Sequence, residues 1–298
     1  MRNRAARLGV AGLAAGALVI AATLASWAVW GWPGDMGPAS LFGRGLSGAS
    51  RAPHPTPTAT IRPAPPGWVT VLDDEFTAPG IPAHWELYDA PYGSGPENCA
   101  APSQDSAPGD GYLYLTMAYR QGGNCGAGWY TGGMMISDAY ALREQAITVR
   151  WRVLPSKHPT VVFSHHIIPM AFPDDPSYQW YQAEADYCEA ESYTGCWTYL
   201  HDGTASDTSG QHYNDYQNVN LTKWHAWRFV QAHGTLKAYI DDMSKPVWVF
   251  NGGTSQFPNA IRRAVLQQEC PADACPPASY AGATETIQID WITIQIPG

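Results

Sequence analysis

The hydrophobic positions of this chain follow two patterns. Residues 8–32 are almost continuously apolar and carry no charge, whereas from Trp68 onward apolar residues come in runs of four to eight. Those runs are rich in Val, Ile, Tyr and Trp and are separated by clusters of Gly, Pro, Asn and Asp. Short apolar runs between turn formers predict β-strands. Residues 112–117, 146–152, 227–230 and 287–294 are the clearest cases, and the last opens with Ile and polar residues in alternation, as a strand with one buried face requires. No segment keeps a long helical period; residues 259–268 fit a short helix or another strand. No repeat of 20–50 residues is present. A two-sheet antiparallel sandwich is the economical way to bury such strands.

The N-terminal apolar run follows Arg2, Arg4 and Arg7, the arrangement of an export signal. It is longer than the usual signal core and long enough to cross a bilayer, and no clean small-x-small cleavage site follows it. Residues 1–32 are therefore expected to be a signal peptide or an N-terminal membrane anchor. Either way the positive-inside rule places the rest of the chain outside the cytoplasm, secreted or held on the outer face of the membrane. Residues 33–66 hold Pro53, Pro55, Pro57, Pro63, Pro65 and Pro66 among Thr, Ala and Ser, a spacer composition that builds no core. Residues 67–298 then suit one domain.

Composition narrows what that domain binds. Charged residues make up 14% of the 298-residue chain, which also has 13 Trp, 16 Tyr and 29 Gly, so neither a disordered segment nor a coiled coil fits. Six of the 17 basic residues but only one of the 26 acids precede residue 67, which leaves the domain at a net −14. Such a surface repels phosphate backbones and anionic lipid heads. Nucleic acid is excluded as a partner, contact with a membrane is confined to the N-terminal segment, and neutral sugars suit the domain. The protein is expected to act as a monomer.

All six cysteines lie in the domain, and an even number outside the cytoplasm favours disulfides. Of 15 connectivities, short loops favour Cys188 with Cys196 and Cys270 with Cys275, leaving Cys99 for Cys125. No Cys-x-x-Cys spacing supports zinc.

Candidate chemistry is concentrated in residues 181–191, where Glu184, Asp186, Glu189 and Glu191 crowd a strand-like segment. Glu184 and Asp186 share a face of a regular strand, but Glu189 would point the other way. One extra residue in a β-bulge between Asp186 and Glu189 restores the parity. Three carboxylates on one face repel one another and raise at least one pKa, which suits an ionised nucleophile beside a protonated acid. A solvated strand edge or a set of calcium ligands would also use acids, but Trp180, Tyr181, Tyr187 and Trp197 put rings around these. Rings stack on pyranose faces, and paired carboxylates cleave glycosidic bonds.

The Glu184-x-Asp186-x-x-Glu189 pattern on a bulged strand resembles the active-site signature of glycoside hydrolase family 16, the laminarinase and β-glucanase group. Asp73-Asp74-Glu75-Phe76 with Trp85 is similar to that family's opening strand, and Asp110-Gly111-Tyr112-Leu113 to its next. Tyr130-Thr131-Gly132-Gly133 is similar to its Tyr-Thr-Ser-Gly segment, with Gly132 replacing Ser. Residues 224–241 resemble its later strand pair, and Ile289-Asp290-Trp291-Ile292 its closing strand. The resemblance implies a concanavalin A-like β-jelly-roll of two curved antiparallel sheets, with the cleft on the concave face. It also implies retaining, endo-acting hydrolysis of a β-1,3-glucan or a related β-glucan or galactan, with Glu184 as nucleophile, Glu189 as acid/base and Asp186 tuning the charge between them. Glu191 competes for the acid/base role.

Trp180, Tyr187, Trp197, His201, Trp129 and Tyr130 are the expected substrate contacts. The family's Trp-Pro-Ala-x-Trp segment is replaced by residues 158–166, where His165 or His166 stands as a polar contact for sugar hydroxyls or as a surface or core pair. No cofactor is expected for catalysis; Asp290 matches a structural calcium ligand of some relatives, together with backbone oxygens near the first strand. Asn220-Leu221-Thr222 fits a glycosylation sequon. A transglycosylase would use the same carboxylates, while a lectin-like carbohydrate-binding module or an envelope scaffold would not need them.

Overall fold

The computed structural model describes residues 64–89, 99–156, 165–201, 211–251, 260–270 and 275–298. The signal or anchor segment, most of the spacer and His158 with the rest of residues 157–164 lie outside the described residues. In chain order the strands are β1 (Trp68–Asp74), β2 (Trp85–Leu87), β3 (Cys99–Ala100), β4 (Asp105–Ser106), β5 (Leu113–Arg120), β6 (Gly128–Thr131), β7 (Gly133–Ile136), β8 (Gln145–Leu154) and β9 (His165–Pro173). After the one-turn helix α1 (Trp180–Ala183) come β10 (Ala185–Ala190), β11 (Gly195–His201), β12 (Gln211–Asn218), β13 (His225–Ala232), β14 (Thr235–Ile240), β15 (Trp248–Asn251), β16 (Arg262–Glu269) and β17 (Thr284–Pro297).

These strands form two sheets. One runs β15-β14-β13-β8-β17-β5-β6-β3, with β1 also paired to β17 and β4 to β5. The other runs β12-β11-β10-β9-β16-β7-β2. Every pairing between these strands is antiparallel except β3 with β6. The expected sandwich is therefore present, and all four of the clearest sequence runs are strands. Residues 262–269 settle the open choice in favour of a strand, β16; Asn259 lies outside the described residues.

The spacing of β17 shows how sequence becomes core. Ile287 and Ile289 are two apart, but the next buried isoleucines are Ile292 and Ile294. The register with β8 slips between Ile289 and Trp291, and this bulge returns the later isoleucines to the inner face. They pack with Val149, Trp151 and Phe229, each large apolar side chain contributing about 1.5–3 kcal/mol on full burial. Tyr187 of β10 stacks on Phe229 of β13 with ring centroids 3.7 Å apart, a direct contact between the sheets. Because side chains alternate along a strand, Asp186 beside Tyr187 faces away from this core.

Two polar bridges cross the interior. Buried Arg262 donates from Nε to Ala183 O at 2.6 Å and from Nη1 to Gln231 Oε1 at 2.8 Å. His166 Nε2 lies 2.6 Å from Glu285 Oε1, and the Tyr193 hydroxyl donates to Glu285 Oε2 at 2.6 Å. His166 is fully buried, so this bridge removes it from any contact with sugar hydroxyls. The His165 side chain is outside the described residues. In the opening strand, Asp74 accepts from Trp85 Nε1 at 2.7 Å, which ties β1 to β2.

Cys99–Cys125, Cys188–Cys196 and Cys270–Cys275 are the three disulfides, as the short loops favour. Their Cα separations of 6.2, 5.1 and 5.0 Å suit cystine geometry. Asp290 is buried and pairs with the Arg150 guanidinium. At Oδ2 a calcium ion would compete with the positive charge of Arg150.

Candidate active site

The site begins where Arg262 fixes the carbonyl of Ala183. That bond anchors the end of α1, so the next residue, Glu184, enters the sheet from a held position. Glu184 sits one residue before β10, and its backbone carbonyl accepts from His201 N at 3.0 Å, extending the ladder with β11. The sequence reading placed residues 181–183 in a strand; they form a helical turn instead.

Asp186 and Glu189, three apart on β10, stand opposite Tyr199 and Trp197, two apart on β11. This is the bulge that the Glu-x-Asp-x-x-Glu spacing demands, and it puts both acids on the outer face of the seven-stranded sheet. The adjacent strand makes the same step. Met170 and Ile167 of β9 oppose Val265 and Gln267 of β16, which keeps Asp186 beside Met170 and Glu189 beside Ile167. Glu191 lies beyond β10 in the exposed turn before β11, so the competitor for the acid/base role is off the strand.

The carboxylates are poor in solvent and rich in negative neighbours. Burial, followed by the charges of Asp186, Glu269 and Glu189, holds the Glu184 carboxyl well above the usual range. Asp186 is pushed up to about 6 by burial, although the hydrogen bond from His201 pulls it down. His201 Nε2 lies 2.9 Å from Asp186 Oδ2, so His201 supports the central acid of the row. Glu184, Asp186 and His201 each offer a ligand atom within 4.8 Å of one another, a spacing a metal ion could use. The ring nitrogen turned to these acids is already bonded to Asp186, and this suits proton chemistry better.

Two contributors were not legible as site residues. Glu269 lies near enough to raise both Glu184 and Asp186, and Gln267 donates to it. Tyr88 packs over Gly133, where a Cβ would come within 2.7 Å of its ring. Burial and then the charge of Glu184 raise the Tyr88 pKa, keeping its hydroxyl protonated. The only sequence signal for Glu269 is the polar pair Gln267 and Glu269 at strand spacing.

Of the expected ring contacts, Trp197 stands on the site face opposite Glu189 and is 37% exposed. Tyr187 does not reach that face, because strand alternation turns it into the core. Trp129 is buried and donates to Pro276 O at 2.7 Å. Tyr130 is buried against the Cys99–Cys125 disulfide and donates to Gly126 O at 2.9 Å. These three rings are structural in this fold. Trp180 opens α1, and its side chain is outside the described residues.

The electrostatics give a pH prediction. After burial, the charge of Asp186 does most to hold Glu184 up, so Asp186→Asn should lower the Glu184 pKa. With Glu184 as the attacking carboxylate, the acid limb of kcat/KM is then expected to move to lower pH. A pH–rate profile of the residual activity checks this; an unmoved or raised limb contradicts it.

No protein-family model matches the chain, and no curated protein matches it in sequence. Solved structures do match. An endo-1,3-β-glucanase from Streptomyces sioyaensis is 16% identical with a TM-score of 0.61, over 78% of this chain and 98% of that one. A non-specific endo-β-1,3(4)-glucanase from glycoside hydrolase family 16 is 12% identical with a TM-score of 0.62, over 78% and 93%. A structure from work on endo-acting O-glycanases that human gut microbiota express to initiate mucin breakdown is 16% identical with a TM-score of 0.64, over 80% and 94%. With two antiparallel-rich sheets and likeness along nearly the full length of these enzymes, the chain has the fold of the laminarinases and endo-1,3-β-glucanases.

Proposed function

We propose that the chain is a retaining, endo-acting glycoside hydrolase that cleaves a β-linked polysaccharide outside the cytoplasm. The observation that carries this reading is the bulge that sets Asp186 and Glu189 on one outward face, with Glu184 at the head of the same strand. In the first step a Glu184 oxygen attacks the anomeric carbon and the glycosidic C–O bond breaks, while Glu189 gives its proton to the leaving oxygen. In the second, Glu189 takes a proton from water, the water oxygen attacks the same carbon, and the ester to Glu184 breaks. With its carboxyl pushed up to about 6, Asp186 binds or releases a proton near that pH, which limits the negative charge that Glu184 faces.

Three disulfides and the apolar N-terminal run support an extracytoplasmic location. The acidic domain favours neutral polymers. The likeness to endo-β-1,3(4)-glucanases and to endo-acting O-glycanases makes β-glucans the first substrates to try and mucin O-glycans the second.

The test is reducing-end release from β-1,3-, β-1,4- and mixed-linkage glucans, a β-galactan and mucin O-glycans. Cleavage of one class, giving oligosaccharides of several lengths, is expected. Binding to a polymer with no cleavage of any would overturn the hydrolase in favour of a lectin-like domain. Transfer to added oligosaccharide in preference to water would mark a transglycosylase.

A further inference from the structure

Among the described residues exposed rings are rare and are not scattered. Among the described residues the exposed large hydrophobics are Val69, Val71, Val247, Val249, Trp197 and Tyr216. The four valines lie on β1 or in and next to β15, at the margins of the other sheet. The two rings lie side by side, Trp197 of β11 in register with Tyr216 of β12, with centroids 5.0 Å apart. Trp197 also stacks with Tyr199, whose centroid is 6.1 Å away. Across β11, Trp197 faces Glu189 and Tyr199 faces Asp186. The rings therefore form a row parallel to the carboxylates, extending to the edge strand β12.

The backbone is shaped to this row. A Cβ at Gly195 would come within 2.4 Å of the Gln217 backbone oxygen, 2.5 Å of the Tyr216 hydroxyl and 2.6 Å of its Cζ. The absence of a side chain at Gly195 lets the Tyr216 ring lie down on the sheet beside Trp197. The opposite flank of the carboxylates is different: Ile167, Met170 and Val265 are buried there with Tyr88, Met135 and Phe172 packed against them. Among the described residues, exposed ring surface is thus offered on one side of the acids only.

We propose that Trp197, Tyr199 and Tyr216 form a stacking platform that holds successive sugar rings of a neutral glycan across β11 and β12, with Gly195 as its seat. The platform is continuous with the carboxylate row, and its uncharged rings in an acidic domain suit a neutral chain. This rests on the hydrolase reading only for the class of ligand, because binding is measured apart from cleavage. A glycan that reaches past Trp197 gains contacts that a short one does not.

Affinity electrophoresis of the full chain in a soluble β-1,3-glucan, a mixed-linkage β-glucan and a β-galactan tests the platform. Retardation by at least one is expected, with Trp197→Ala and Tyr216→Ala each weakening it about tenfold. Tyr216→Phe should keep the binding, since it keeps the ring. Unchanged thermal melting of Tyr216→Ala separates lost contact from lost fold, because Tyr216 lies on the surface. Binding by Tyr216→Ala equal to the parent, or retardation of the parent by none of the three polymers, would overturn the platform. Platform variants that bind like the parent in a chain that cleaves polymer refute the platform and leave the hydrolase. Binding lost in the variants of a chain that never cleaves upholds the platform and refutes the hydrolase.

Discussion

Glu184→Gln is expected to lose polysaccharide cleavage by at least about 10⁴-fold, because glutamine has the shape of the carboxylate but cannot form the ester on which the second step depends. The same variant should be the more stable protein at neutral pH. In the folded chain burial and three acidic neighbours raise the Glu184 pKa. The stability that this gives is complete below the unfolded value and is lost as pH rises through the folded one. Near pH 7, above the unfolded value, the folded parent has therefore lost stability through this group, and glutamine has none of it to lose. A gain of about 1 kcal/mol would appear as about 2–4 °C in Tm for a domain of this size. Near pH 4 Glu184 is largely protonated in both states, and the gain should vanish. Activity within about tenfold of the parent would remove Glu184 from the nucleophile role, and a Tm below the parent's at pH 7 would contradict the electrostatics.

Arg262→Met is expected to cost about 1 kcal/mol, a fall in Tm of about 2–4 °C. Arginine is an expensive choice there, since burial lowers its pKa from 12.5 to about 10, equivalent to about 3 kcal/mol against the cation. Methionine removes that cost. It also leaves Ala183 O and Gln231 Oε1 without their donor, each at about 1–3 kcal/mol in a dry interior, while Ala260 O keeps its bond from Gln231 Nε2. The lost hydrogen bonds outweigh the relief. Since Ala183 immediately precedes Glu184, activity should fall further than unfolding explains, and it should fall at temperatures where the variant is fully folded. Thermal melting with parallel assays at low temperature checks both parts; a Tm no lower than the parent's would mean that the two acceptors find other donors.

Much of this arrangement could be read from the chain because it rests on period and parity. The isoleucines of β17 alternate, and their three-residue step at Ile289 and Ile292 marks the bulge. The odd interval from Asp186 to Glu189 called for a second bulge, and the register of β10 with β11 has it. Short loops were enough to pair the cysteines. Ring positions were harder to read, because an aromatic residue beside an acid can serve a cleft or a core. Strand parity separates them: once Asp186 faces out, Tyr187 faces in. For Trp129 and Tyr130 no such parity was available, and both are buried. Tyr88 and Glu269 lie far from Glu184 in sequence and reach it only through the order β10-β9-β16-β7-β2, which no local pattern encodes. The helical turn of α1 was missed because four residues are too few to show a period.

The configuration of the first product tests the central claim most directly. Proton NMR within the first minutes of cleavage, before the new reducing ends mutarotate, should show the β anomer, as two displacements through Glu184 require. Initial appearance of the α anomer would mean a single displacement by water and would contradict the account.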